Sequence, residues 1–172
     1  MTLILFLLNY FFDQDTMQKF RNSLYMLAVT MTIPLCAQQE TLIQQAQQAQ
    51  TRAYCPYSHY AVGAALLTGD GEVIQGANVE NASYGLTICA ERAALFAAVS
   101  QGKQHFQAIV VSTTDGGTPC GACRQVLNEF NPHIKVITVD HQGTVVHSTT
   151  LDKLLPSAFG PQNLDLNQKL QR

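Results

Sequence analysis

Three of the five cysteines stand where the hydrophobic pattern begins a helix, and they constrain this chain more than any other feature. Cys89 opens the alanine-rich run to Ser100, and Cys120 and Cys123 fall at the start of a second helical stretch, Pro119 to Phe130. Residues three apart on a helix differ by about 60° in direction and share a face. The free N–H groups and dipole of a first helical turn favour thiolates. Two adjacent helices whose N-termini point the same way would bring all three sulfurs to one metal. Thiolate ligands of this kind select zinc. An odd number of cysteines at irregular spacing fits a disulfide framework poorly and suits metal or thiol chemistry in a reducing compartment.

Composition narrows the function classes. Only 13% of the 172 residues are charged, and the net charge is −2. A usual charged fraction is about 25%. No basic stripe is available for a polynucleotide or an acidic membrane surface, so neither is expected as a partner. The first 37 residues differ from the rest. Leu3–Leu8 and Leu24–Val29 are apolar runs separated by Asp13, Asp15, Lys19 and Arg21, and neither reaches the ~20 residues a membrane span needs. Residues 1–37 therefore read as an apolar N-terminal extension: either an upstream segment preceding a start at Met17 or Met31, or a signal-like leader starting at Met17. Residues 38–172 are expected to form a single domain.

Within that domain, Leu42, Ala46, Ala49 and Ala53 keep helical spacing among seven glutamines between Gln38 and Gln50, predicting a solvated amphipathic helix that Pro56 ends. Val62–Leu67 and Val73–Ala77 flank a Thr-Gly-Asp-Gly-Glu turn and predict a hairpin. Phe106–Thr113 reads as a buried strand, and Ile134–Val139 and Thr144–Val146 as short strands joined around Gly143. Helices interleaved with strands predict a three-layer α/β/α sandwich around a mixed sheet of about five strands.

Glu91 sits two residues after Cys89. Structural zinc sites close with four protein ligands, whereas catalytic ones keep a position for water, and three cysteines leave that position open. A carboxylate beside it can take a proton from water and hand it to a substrate. Arg92 would offset the negative charge of three thiolates. Taken singly, each piece has a plainer reading: a C-x-x-C pair is often half a structural site or a redox pair, a Cys at a helix start a small buried hydrophobe, and Glu91 an acid complementing the helix dipole. Cys36 and Cys55 remain as other sulfur donors.

Cys89-Ala90-Glu91-Arg92 and Pro119-Cys120-Gly121-Ala122-Cys123-Arg124-Gln125 together resemble the two signatures of the small homotetrameric zinc-dependent cytidine deaminases. The resemblance continues through Tyr54–Ser58, Val62–Leu66, Asn78–Asn81 and Leu154–Phe159, from about Gln39 to Leu164. It implies one zinc per subunit, held by Cys89, Cys120 and Cys123. It implies that Glu91 shuttles protons while zinc-bound hydroxide attacks C4 of free cytidine or deoxycytidine, releasing ammonia, as in pyrimidine salvage. Asn78 and Glu80 would meet the ribose hydroxyls, and the Ala90 backbone and Tyr60 the base. Tyr60 stands where the family commonly has Phe, and Ala61 where it commonly has Pro; a tyrosine hydroxyl there needs a partner. Tyr84 and Phe159 match positions used across subunit boundaries, so a homotetramer is implied.

Two rival readings stay open at this point. One is a related nucleoside-analogue deaminase of the blasticidin type. The other is a non-catalytic structural-zinc module with Cys55 as fourth ligand, in which Glu91 has no proton to move. Thiolate ligands and a salvage-type substrate suit a cytoplasmic location.

Overall fold

Two glycines let helices press onto the sheet closely enough to order everything around them. A Cβ at Gly63 would lie 2.1 Å from the Ala46 carbonyl oxygen, and one at Gly76 would lie 2.3 Å from that of Ala90. No side chain fits in either place, so helix backbone rests directly on strand backbone. The computed structural model describes residues 35–164, and from Gln39 onward they belong to one compact unit. The expectations for the first 37 residues lie outside the described residues, apart from the backbone of the helix that begins at Leu35.

In chain order the elements are α1 (Leu35–Gln50), β1 (Gly63–Thr68), β2 (Val73–Ala77), α2 (Ala90–Ser100), β3 (Phe106–Ser112), α3 (Gly121–Asn128), β4 (Lys135–Val139), β5 (Val145–Thr150) and the single turn α4 (Leu151–Leu154). The sheet runs in the order β2-β1-β3-β4-β5. β1 is antiparallel to both β2 and β3, β3 and β4 are parallel, and β5 returns antiparallel beside β4. Successive residues of a strand face opposite sides. Ala64, Leu66, Ile109, Val111 and Val136 thus pack against Ala94, Leu95, Leu127 and Leu151 on one face. Ala65, Leu67, Val110, Ile137 and Val139 pack against Leu42, Ile43 and Ala46 of α1 on the other. Helices on both faces of a five-stranded mixed sheet are the three layers that the sequence pattern predicts.

The inner strands are apolar on both sides because both sides are covered; all six residues of β1 are buried. β5 differs from expectation. Ser148, Thr149 and Thr150 carry no strand-like apolar pattern, yet they continue the strand to Thr150 because the β4 backbone supplies a ladder at the sheet edge. α1 also ends earlier than Pro56 implies. It stops at Gln50, where Arg52 and Ala53 turn back by donating to the Ala49 and Gln50 carbonyls at 3.0 and 3.1 Å. The Gln50 side chain, bonded to Ala61 O and Ser112 Oγ, pins that end.

The topology places the site. β2 and β3 run in the same direction, being antiparallel to the strand between them. Their C-terminal ends, Ala77 and Ser112, lie across from the same residue, Gly63. The chain leaves each of these ends to start a helix, α2 or α3, so both helix N-termini open at one end of the sheet. Clefts at the carboxyl ends of parallel strands are the usual ligand sites of α/β folds.

The contact at Gly76 is testable. Gly76→Ala must push α2 off β2, and the expected loss of stability is about 1–3 kcal/mol, read as a lower urea midpoint with the slope unchanged.

Candidate active site and metal centre

Cys89 and Cys120 are the N-cap residues of α2 and α3, both with extended backbone angles. Ser, Thr, Asp or Asn usually fill that position, because their side chains bond the free N–H groups of the first turn. Neither cysteine makes such a bond. Their sulfurs face each other instead, with Sγ of Cys89 3.9 Å from Sγ of Cys120, and Sγ of Cys120 3.6 Å from that of buried Cys123. All three sulfurs lie within 4.8 Å of one another. Cys120 is the cap rather than a first-turn residue, so the shared face inferred from helical spacing is replaced by a cap sulfur reaching back over Cys123. The same geometry explains how Cys89 and Glu91 meet one pocket. Helical spacing alone would point them about 200° apart, but only Glu91 belongs to the helix.

Electrostatics single out this cluster. A hydrogen bond from the Cys123 thiol, reinforced by the Arg92 guanidinium, pulls the Cys89 thiol down to about 5. Cys123 is pushed up by that same bond and by burial. Arg92 Nη2 lies 3.6 Å from the Cys89 sulfur and 3.3 Å from Thr87 O. Its Nε is buried without a hydrogen-bond partner. A buried, unsatisfied guanidinium donor is costly beside neutral thiols and suits an anionic sulfur cluster. Glu91, only 4% exposed, has its carboxyl raised above the usual range, first by burial. Ala90 beside it is fully buried.

The donor set fits zinc. Three sulfurs each about 2.3 Å from one tetrahedral zinc stand about 3.8 Å apart, and the two measured separations bracket that value. Among the described residues this is the cluster able to hold a metal ion, and Cys55 does not belong to it.

A cleft of about 300 Å³ opens over the cluster. Tyr60, Asn78, Glu80, Cys89, Glu91 and Cys120 all line it. Asn78 is almost buried and spans the lead-in to β1: its Oδ1 accepts from Val62 N at 2.8 Å, and its Nδ2 donates to Tyr60 O at 2.9 Å. Glu80 Oε2 accepts from the Tyr57 and Ser58 amides at 2.8 and 3.2 Å, and bonding with Ser58 holds its carboxyl below the usual range. The Tyr60 hydroxyl finds its partner in Asp115, to which it donates. Tyr84 and Phe159 do not line this cleft. Tyr84 is 73% exposed over a neighbouring hollow that it shares with Glu80, and Phe159 is 58% exposed. The Phe159 backbone is fixed to α3, its carbonyl accepting from Gln125 and Asn128.

Residues 36–139 match the family described as the cytidine and deoxycytidylate deaminase zinc-binding region. The chain belongs to this family. It is 50% identical over 129 residues to the cytidine deaminase of Halalkalibacterium halodurans, covering 73% of this chain and 97% of that protein. It is 48% identical over 128 residues to the cytidine deaminase of Sporosarcina psychrophila, covering 73% and 93%. The crystal structure of the cytidine deaminase from Burkholderia pseudomallei superposes with a TM-score of 0.66 at 50% identity, covering 70% of this chain and 98% of that one. The deaminase signatures were legible in the sequence. Thr113 and Gly117, which line the cleft wall, and Asp115, which bonds to both, were not, because nothing in a Thr-Asp-Gly-Gly loop distinguishes a wall from an ordinary turn.

Changing Cys89, Cys120 or Cys123 to Ala is expected to cut zinc retained after dialysis by at least about tenfold, as loss of a ligand should. Cys55→Ala should retain it fully; metal analysis of the purified proteins decides.

Proposed function

We propose that the protein hydrolyses free cytidine and deoxycytidine to uridine and deoxyuridine with release of ammonia. One observation carries the reading: three thiols converge at the base of a cleft of nucleoside size, and two of them, Cys89 and Cys120, line it together with the buried Glu91 carboxyl. Family membership and 50% identity to a cytidine deaminase support it. Residues 38–172 act as the catalytic domain.

Cys89, Cys120 and Cys123 hold one zinc per subunit, with Arg92 compensating their charge. When bound, zinc supplies the Lewis acidity that makes water a nucleophile near neutral pH. Glu91 handles the protons. It takes one proton from the attacking water and delivers it to N3 of the base, then takes the remaining proton from the new C4 hydroxyl and hands it to the 4-amino group, so that ammonia departs as the C4 carbonyl forms. A carboxyl raised by burial suits a group that must both accept and donate near neutral pH. The Ala90 backbone and the Tyr60 ring position the base. Asn78 and Glu80 face the sugar, and an ionised Glu80 repels a phosphate there, which favours nucleosides over nucleotides.

The exposed Tyr57, Tyr84, Leu86 and Phe159 support a homotetramer in which these side chains are covered, with Tyr84 and Phe159 completing neighbouring sites. No helix among the described residues is long and apolar enough to cross a membrane. Thiolate ligands suit a reducing, cytoplasmic setting.

Glu91→Gln should keep its zinc and lose about 10²- to 10⁴-fold in turnover, followed by the fall in cytidine absorbance. Undiminished turnover, or turnover of blasticidin S in place of cytidine, would reject this assignment. Sedimentation of the wild-type protein should give a species of four chains, and a fully active monomer would reject the shared site.

A further inference from the structure

The segment 113–120 between β3 and α3 carries Cys120 to the metal cluster, and through Thr113, Gly117 and Thr118 it forms one wall of the cleft. Its outer side is fastened to the sheet. Buried Thr138 Oγ1 donates to Gly116 O at 2.7 Å, and His141 Nδ1 lies 3.2 Å from Thr114 O. Val146 packs so closely on Gly116 that a Cβ there would meet its Cγ2 at 2.3 Å, and Gly116 holds a φ of 75° that favours glycine.

The cleft side is fastened differently. The Tyr60 hydroxyl donates to Asp115 Oδ1, and the same oxygen accepts from Thr113 Oγ1 at 3.2 Å and Gly117 N at 3.3 Å. Gly117 N also donates to Thr113 Oγ1 at 2.8 Å. A Cβ at Gly117 would lie 3.1 Å from the Tyr60 hydroxyl, so glycine leaves room for the phenol. One carboxylate oxygen therefore joins the lead-in to β1 with the loop that delivers Cys120. The Tyr60 ring is 37% exposed, so packing alone leaves it free to turn. An aromatic ring with a polar tip takes its direction from the partner of that tip.

We infer that Asp115 is a positioning residue that acts through Tyr60: their hydrogen bond fixes the ring against the 113–118 wall and sets the width of the base-binding end of the cleft. This deepens the proposed function and rests on it for the identity of the base. Asp115 touches no reacting atom. Its effect belongs to substrate binding, because Glu91 and Cys123 lie within α2 and α3 and Cys89 and Cys120 cap those helices, while the Asp115 carboxylate bonds to Tyr60 and to its own loop.

The test is a double-mutant cycle on the full-length, zinc-loaded protein, with Tyr60→Phe, Asp115→Ala and the double variant. Each single change should raise KM for cytidine about three- to tenfold and lower kcat by much less, and the double variant should be no worse than the poorer single one. Hydrogen exchange needs no substrate and reads the wall directly: the Gly117 amide should exchange several-fold faster in both single variants, to about the same extent. Additive effects on KM, a loss in kcat with KM unchanged, or unaltered Gly117 exchange in either variant would overturn the inference. If the wild-type protein does not turn over cytidine, the proposed function fails, and the exchange measurement still decides whether Asp115 holds the wall through Tyr60.

Discussion

The seating of α2 on β2 is the contact on which the cleft depends. Gly76 allows the Ala90 carbonyl and Ala94 amide to approach strand backbone, and that depth sets where Cys89, Ala90 and Glu91 lie relative to α3. Packing of this kind has little freedom to adjust, because backbone replaces side chain at the contact. The first turn of α2 therefore presents a cap sulfur and a buried carboxyl at fixed positions. α3 meets it from the next crossover with the other two sulfurs.

This arrangement concentrates charge that would be costly elsewhere. A Cys89 thiol drawn toward its ionised form, a buried carboxyl and a partly unsatisfied guanidinium share one low-dielectric corner of the fold. Such a cluster contributes poorly to stability without a cation, and its presence at the open end of a well-packed sheet marks a site kept for chemistry. The core beneath, with Leu66, Ile109, Val111 and Leu95 fully or almost fully buried, supplies the stability that the site does not.

The ends of elements were less legible than their middles. The continuous burial of β1 and the nearly continuous burial of β3 follow directly from their apolar residues, and so does the helix over Ala90–Ser100. The end of α1 at Gln50 depends on the Gln50 side chain meeting Ala61 and Ser112, partners distant in sequence. The polar end of β5 became strand because β4 lay beside it. Cys120 likewise became a cap rather than a helical residue once the chain had to turn out of β3. The Asp115 bonds to Tyr60 and Thr113 belong to the same class, since a loop acquires its partners from the folded surroundings.

What the sequence determined by itself was chemistry and periodicity. Residue types and their spacing decide which side chains can ligate zinc, which can move a proton and which faces must be buried, because these are properties of the side chains and the chain repeat. Only the tertiary structure decided that three sulfurs 31 and 3 positions apart in the chain would stand 3.9 and 3.6 Å apart in space. It also decided that Tyr60, where the family commonly has Phe, would have a carboxylate waiting for its hydroxyl. Convergence of that kind is fixed by strand direction, crossover and close packing, which act between residues far apart in the sequence.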